Sequence, residues 1–302
     1  MISVILSTCK RSPEIVKRAV DSIVRQTYTD WELYVVDDSP ETYDLRDSVQ
    51  ALFDSYAEDG RIHYVQHEKN RGACIARNTG AEMSKGEYIA FLDDDDEWVE
   101  TKLEKQIKKF EECSENTGLI YCGCYFYHDA TGKKEVANTR YIKGKVFSEL
   151  THENYIGGAS FPLLRRSCLD RVGYFDEKML SCQDLDVWLR VSKEYLVDYV
   201  EEPLVIYHIH EGEQITKSIE KIIAGRERII EKNIEYFKNN RTDYWFCLIN
   251  YAYNCAVSGN KEYAMRNYKR ACLVKPWCFI SNITYYFRIV KALHQEGDFN
   301  AQ

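Results

Sequence analysis

Tyr88-Ile89-Ala90-Phe91-Leu92-Asp93-Asp94-Asp95-Asp96-Glu97-Trp98 is the stretch on which the reading of this chain turns. Its first five residues are apolar or aromatic and uninterrupted, as in a strand covered on both faces. The strand then stops against five acids. Neighbouring carboxylates repel, so each must be solvated or paired. A divalent cation resolves the repulsion: hard oxygen donors suit Mg²⁺ or Mn²⁺, which commonly take one or two protein carboxylates together with nucleotide phosphates. The other reading is an acidic N-terminus for a helix starting near Glu100, where negative charge meets the positive end of the dipole. The run alone leaves both open, although it lacks the glycine of an EF-hand loop.

Working outward, short apolar runs alternate with helical patterns from Ile2 to Leu92, the sequence form of repeated β-α units around a mainly parallel sheet. Ile2 to Leu6 is the first strand. Ser12 and Pro13 make an N-cap and first-turn pair, and Ile15, Val16, Ala19, Val20, Ile23 and Val24 share one face of a helix expected to end near Thr27. Leu33 to Val36 is a strand running into Asp37, Asp38 and Ser39; a helix over Leu45 to Ala57, a strand over Ile62 to Gln66 and a helix over Gly72 to Met83 follow. Polar residues thus collect at the carboxyl ends of successive strands, where open α/β sheets bind ligands. Asp37 and Asp38 read either as a turn before Pro40 or as acceptors for a base or ribose. Asn70, Arg71, Gly72, Arg77 and Asn78 surround a helix start, either an ordinary cap or a seat for a diphosphate.

Beyond Leu119 the pattern is mixed, with a strand-like run to Tyr127, a turn at Thr131 and Gly132 and a glycine pair at Gly157 and Gly158, which predicts antiparallel additions to the sheet. From about Lys217 the tail reads as helical, with a boundary placed at 212 to 217. Tyr251, Ala252, Gly259, Ala264, Tyr268, Ala271 and Pro276 are spaced like one tetratricopeptide-type hairpin. Between Lys261 and His294 seven Lys or Arg face one Glu, 7 − 1 = +6, with Trp277, Phe279, Tyr285, Tyr286 and Phe287 among them. That segment reads as a solvated basic face or as a peripheral contact with an anionic membrane.

The 302 residues, 45% hydrophobic, are enough to bury a core, and 40 Lys plus Arg against 48 Asp plus Glu give a formal charge of -8. That balance argues against nucleic acid as a partner. Eleven scattered cysteines, an odd number with no C-x-x-C pair, fit reduced thiols in a cytoplasm. The five-residue apolar start is too short for a signal peptide, and no run reaches the length of a membrane span.

Five motifs in order make the sequence resemble the inverting glycosyltransferases of family 2, with the GT-A fold: Ser7-Thr8-Cys9-Lys10-Arg11, Gln26-Thr27-Tyr28, Val35-Val36-Asp37-Asp38-Ser39, Asn70-Arg71-Gly72 with Ala76-Arg77-Asn78, and Phe91 to Trp98. The likeness continues more weakly through Val172-Gly173-Tyr174-Phe175-Asp176 and Gln183-Asp184-Leu185-Asp186-Val187-Trp188-Leu189-Arg190 to about residue 216. It implies a GT-A catalytic domain over 1–216, nucleotide-binding over 1–100 and acceptor-binding over 101–216, with a helical extension over 217–302.

The resemblance also implies residue roles. Thr8, Arg11 and Asp38 would hold the nucleoside, Asp38 bonding the base, and Arg77 would assist. Asp93 to Asp95 match the family's Asp-x-Asp motif, which gives Asp95 the metal contact, Asp93 the ribose or a water-mediated contact, and Asp94 the variable place. Asp184 would be the general base, behind Gln183 where the family has Glu, with Asp186 a weaker candidate and a helix cap the alternative for Asp184. His210, ahead of Glu211-Gly212-Glu213-Gln214-Ile215-Thr216, matches a histidine that approaches the metal or diphosphate; His208 stands where an arginine is frequent, and a structural role is open to both.

The implied activity is transfer of a sugar from a nucleoside diphosphate donor, UDP first, to an acceptor hydroxyl of a saccharide or lipid-linked saccharide in surface polysaccharide or glycolipid synthesis. Mn²⁺ or Mg²⁺ would be the cofactor, and the place the cytoplasm or the inner face of the membrane. Two rivals remain. A sugar nucleotidyltransferase should carry a glycine-rich loop where Ser7 to Arg11 has none, and an inactive binding module should have lost carboxylates that are all present.

Overall fold

The computed structural model describes residues 1–210 and 218–294. In chain order the elements are β1 (Ile2–Thr8), α1 (Pro13–Val24), β2 (Trp31–Asp37), α2 (Arg46–Asp54), β3 (Ile62–Gln66), α3 (Ala73–Met83), β4 (Tyr88–Asp93), β5 (Glu97–Trp98), α4 (Lys102–Glu112), β6 (Thr117–His128), β7 (Lys133–Val136), α5 (Phe147–His152), β8 (Leu163–Arg165), α6 (Arg166–Val172), α7 (Gln183–Glu194) and β9 (Leu196–Ile209). Five further helices follow: α8 (Ile219–Lys232), α9 (Ile234–Asn239), α10 (Arg241–Val257), α11 (Lys261–Val274) and α12 (Phe279–His294). The chain divides into two compact units. The first holds residues 1–146, 155–179 and 183 through β9; the second holds Phe147–Asn154, Leu180–Cys182 and the helices from α8 onward. The boundary expected at 212 to 217 lies outside the described residues.

In the first unit the strands form one sheet in the order β3-β2-β1-β4-β8-β6-β9-β5, with β7 beside β6. The expectation of a mainly parallel sheet holds for β3-β2-β1-β4 and for the β6–β9 pair; β8 runs antiparallel to both β4 and β6, so the whole sheet is mixed. β8 is three residues long and enters from a loop rather than a crossover helix, so nothing holds it to the parallel sense. β1 is buried along nearly its whole length, as an apolar central strand requires. α3 comes close to β1 at Gly80, where a Cβ would stand 2.5 Å from Ile5 Cγ2.

α1 buries Val16, Ala19, Val20 and Ile23 as its periodicity predicts, but ends at Val24 rather than near Thr27. Gln26 explains the early stop. Its side-chain amide donates to the carbonyls of Ser22 and Val99 and its oxygen accepts from the Leu103 N–H, while the Thr27 N–H donates to the Glu100 carbonyl. The chain leaves the helix to tie the end of α1 to the start of α4.

Lys102 is fully buried in α4, its ammonium 4.0 Å from the centre of the Trp98 ring and donating to Gln106 Oε1. Burial pushes its pKa down to about 8. The unfolded chain, near 10.4, therefore binds more protons between those two values, so stability should rise with pH across that window by about 3 kcal/mol from this group. Chemical denaturation of the native protein and of Lys102→Met, compared from below pH 8 to above 10, should show their difference shifting in favour of the native protein; parallel curves would contradict it.

In the second unit α10 packs on α11, α12 and α5. Phe237, Trp245, Leu248, Ile249, Tyr251 and Ala271 form one apolar cluster, and Ala252, Cys255, Ala256, Ala264 and Ile289 a second. α10 and α11 are the expected hairpin, turning at Gly259 with φ 73°. Asp243 accepts from the Ser148 hydroxyl at 2.9 Å and from the Tyr236 hydroxyl and pairs with His152 at 3.1 Å, so α5 is fixed to α10 by hydrogen bonds as well as by packing. All eleven cysteines are free, and among the described residues no helix is long and apolar enough to cross a membrane.

Candidate active site

Register brings the site together. β1 lies between β2 and β4, with Thr8 paired to Asp37 and Ser7 to Asp93, so three strands end side by side at their carboxyl edge. The Asp38 N–H donates to the Thr8 carbonyl at 2.8 Å. Lys10 turns the chain just beyond, with φ 53°, a conformation that residues other than Gly, Asn and Asp rarely adopt. Its N–H is held by Ser39 Oγ at 2.8 Å. That turn aims Arg11 at the acidic run: its Nε meets Asp94 Oδ1 at 2.9 Å and its Nη2 meets Asp95 Oδ2 at 2.7 Å.

The four aspartates are not equivalent. Asp93 pairs with Arg77 Nη2 at 2.7 Å. Asp94 is nearly buried, and burial pushes its carboxyl up to about 6 against the pull of Arg11 and the Thr8 hydroxyl. Asp95 takes both Arg11 and, at 3.0 Å, His210 Nε2. Asp96 turns inward: it is 2% exposed and accepts from the Ser160 hydroxyl at 2.6 Å. Burial, with Asp93 and Asp95 close by, holds Asp96 well above the usual carboxylate range. Ser160 also receives the Asp93 N–H at 3.0 Å, so one hydroxyl fixes both ends of the acidic turn.

Asp38 is held from three sides. Its carboxylate accepts from the Arg71 N–H at 2.8 Å and the Gly72 N–H at 2.7 Å and pairs with His67 Nδ1 at 2.7 Å. Gly72, with φ 95°, adopts the left-handed conformation that presents this amide. Asn70 Nδ2 bonds the Asp38 carbonyl and Cys9 Sγ, and the Cys9 N–H reaches Asp94 Oδ2 at 3.4 Å. Asp38 and the acidic run therefore share one edge through Cys9.

Arg77 joins the run to α7. Besides Asp93 it donates from Nη1 to Gln183 Oε1 at 3.0 Å. Asp184 follows in the first turn of α7, its Oδ1 accepting from the Leu185 N–H at 2.8 Å. Burial raises its pKa, with Arg77 opposing and Asp93 adding to the rise.

The family model of glycosyl transferase family 2 matches residues 3–173, which span all of these strand ends. The chain belongs to that family. It is 33% identical over 242 residues, 78% of the chain and 82% of the relative, to the putative colanic acid biosynthesis glycosyl transferase WcaA of Escherichia coli. It is 28% identical over 270 residues, 84% and 93% of the two chains, to the UDP-Glc:alpha-D-GlcNAc-diphosphoundecaprenol beta-1,3-glucosyltransferase WfaP of Escherichia coli. The fold is that of S. aureus TarS 1–349, solved with UDP-GlcNAc, at TM-score 0.64 and 15% identity over 97% of this chain and 89% of that one. The mannosyltransferase PcManGT of Pyrobaculum calidifontis, solved with GDP-Man and Mn²⁺, superposes at TM-score 0.59 and 16% identity over 98% and 88%.

Within this family 2 glycosyltransferase several candidates separate. His208 is buried, with Nδ1 2.6 Å from Asp129 and Nε2 2.9 Å from Glu97, and so acts as a strut, whereas His210 reaches Asp95. The segment from Glu211 to Thr216 that supported the match at His210 lies outside the described residues. Asp186, the weaker base candidate, is 2% exposed and paired with Arg190 at 3.0 Å. Arg190 is further bound by the carbonyls of Val172, Gly173 and Tyr174, which commits the pair to structure. Sequence reading missed His67, Ser160 and Lys10. A lone histidine, a loop serine and a non-glycine residue in a left-handed turn carry no spacing signal.

Proposed function

We propose that this glycosyltransferase moves a sugar from a UDP-sugar to an acceptor hydroxyl with inversion, catalysis residing in residues 1–216. The observation that carries the reading is the convergence of Thr8, Asp38 and Asp93 to Asp95 on one sheet edge, with Arg11, Arg77 and His210 pointed at the carboxylates. Thr8, Arg11 and Asp38 take the nucleoside end, Arg77 and Asp93 the ribose and diphosphate, and Asp94 keeps Arg11 in place. Asp184 takes the proton from the acceptor hydroxyl as it attacks the anomeric carbon. Gln183 leaves the base without a carboxylate immediately before it in the chain, so its basicity is set by burial, by the Leu185 N–H and Arg77 that oppose the rise, and by Asp93 that adds to it.

The donor set suits Mn²⁺ or Mg²⁺. Asp95 offers a hard oxygen and His210 an imidazole nitrogen at the same point. Among the described residues no three His, Cys, Asp or Glu gather to hold an ion unaided, so Asp95 and His210 would hold it together with the donor's diphosphate. When bound, it would offset the charge that grows on the departing diphosphate. The acceptor class is a lipid-linked saccharide of the kind named for WfaP, in surface polysaccharide synthesis at the inner membrane face.

A thermal-shift and transfer screen of UDP-sugars, with and without Mn²⁺, against polyprenyl-diphosphate-linked saccharides tests this. One donor should raise the melting temperature in the presence of Mn²⁺ and be consumed. No response to any donor would overturn the reading in favour of a binding module.

A further inference from the structure

We propose that the corner between α11 and α12 is a docking surface for an anionic lipid bilayer. Among the described residues fourteen large apolar side chains are exposed, and seven of them fall between Leu273 and Phe287. Scattered apolar residues are ordinary on a soluble surface, but such a concentration is a patch. Leu273 is 78% exposed, Trp277 63%, Phe279 69%, Ile280 81% and Phe287 65%.

The pattern within α12 explains how they come to be outside. Asn282 and Ile289 are buried on one side of the helix, the first accepting from the Trp245 indole at 2.8 Å and the second packed among Ala252, Ala256 and Ala264. At 3.6 residues per turn Ile280, Ile283, Phe287 and Lys291 lie on the opposite side. The helix is thus apolar on both sides, and only one of them is covered within its unit.

Charge selects the occupant. Arg241, whose guanidinium carbon lies 5.0 Å from the Trp277 ring centre, and Lys291, on the same side of α12 as Ile280 and Phe287, put cations beside the exposed apolar side chains, while Lys275 donates to Thr242 Oγ1 at 3.1 Å and Arg288 lies over the Tyr253 and Tyr285 rings. The chain as a whole carries a formal -8, yet Lys261 to His294 carry 7 − 1 = +6. Aromatic and aliphatic side chains rimmed by cations match the boundary between acyl chains and anionic headgroups, where apolar burial and headgroup attraction act together. A second copy of this chain would instead bring the same cationic rim against itself, and like charges would face each other.

The test is flotation of the full chain with vesicles of phosphatidylcholine alone and of phosphatidylcholine with phosphatidylglycerol. The native protein should float with the second and not the first, and should be released by high salt. A variant with Trp277→Ser, Ile280→Ser and Phe287→Ser, all exposed positions, should lose about tenfold or more of that binding. The pair Arg241→Glu and Lys291→Glu should do the same without replacing any apolar side chain. Hydrolysis of the donor by both variants should be unchanged, which shows that they are folded and separates this inference from the reading of the active site. Equal binding of the native protein to neutral and anionic vesicles, unchanged binding by either variant, or a dimer in solution that the serine variant converts to monomer would overturn it.

Discussion

Asparagine at position 184 is expected to leave donor binding intact and to lower the rate of sugar transfer by about 10²–10⁴-fold, the usual worth of a positioned general base. The substitution keeps the shape of the side chain and its bond to the Leu185 N–H, but removes the ability to accept a proton. Wild-type enzyme should show the matching pH signature. The base works deprotonated, and burial raises its pKa, so kcat should be lost as pH falls through a value above the ordinary aspartate's. In the variant that acid limb should disappear. Single-turnover transfer and donor titrations over a pH series measure both; normal transfer by Asp184→Asn would remove Asp184 from the mechanism.

A second large effect is expected from Asp95→Asn. Its carboxylate is where Arg11 and His210 meet, so the change weakens both the proposed seat of the cation and one of the two grips on Arg11. Arg11 keeps Asp94, which should preserve the fold of the loop. The loss of several kcal/mol of transition-state stabilisation corresponds to about 10²-fold or more in kcat/KM. Mn²⁺ titration calorimetry with UDP present should lose its signal together with the rate. A full response to Mn²⁺ in the variant would place the cation elsewhere.

Most of the nucleotide-side architecture was legible because it rests on strong local signals. Apolar runs five residues long, a Ser-Pro helix start and acids at strand ends each name an element and its polarity, and the positions of β1, β2, β3, β4, α1 and α3 follow from them. The sense of β8 was not legible, since three residues carry no periodicity that distinguishes directions. Nor were the unequal fates of Asp93 to Asp96. Which carboxylate turns inward depends on Ser160, more than sixty residues away in sequence, and no spacing rule connects them. The same holds for Asp38, whose grip by His67 and by two backbone amides depends on a glycine in a left-handed conformation. His208 and Asp186 were ambiguous for the opposite reason: their residue types suit chemistry, and only their partners reveal that they are spent on structure.

The helical unit is threaded through its companion's sequence. Phe147–Asn154 and Leu180–Cys182 belong with the late helices although the chain passes through the sheet unit before, between and after them. Cutting the polypeptide after β9 would therefore strand α5, leaving Ser148, His152 and the apolar side of that short helix without Asp243 and Asn250. A clipped protein would misbehave for want of those partners, whatever the severed helices do. Grafting, domain exchange or proteolytic trimming must respect this braid, and single-residue changes are the cleaner instrument.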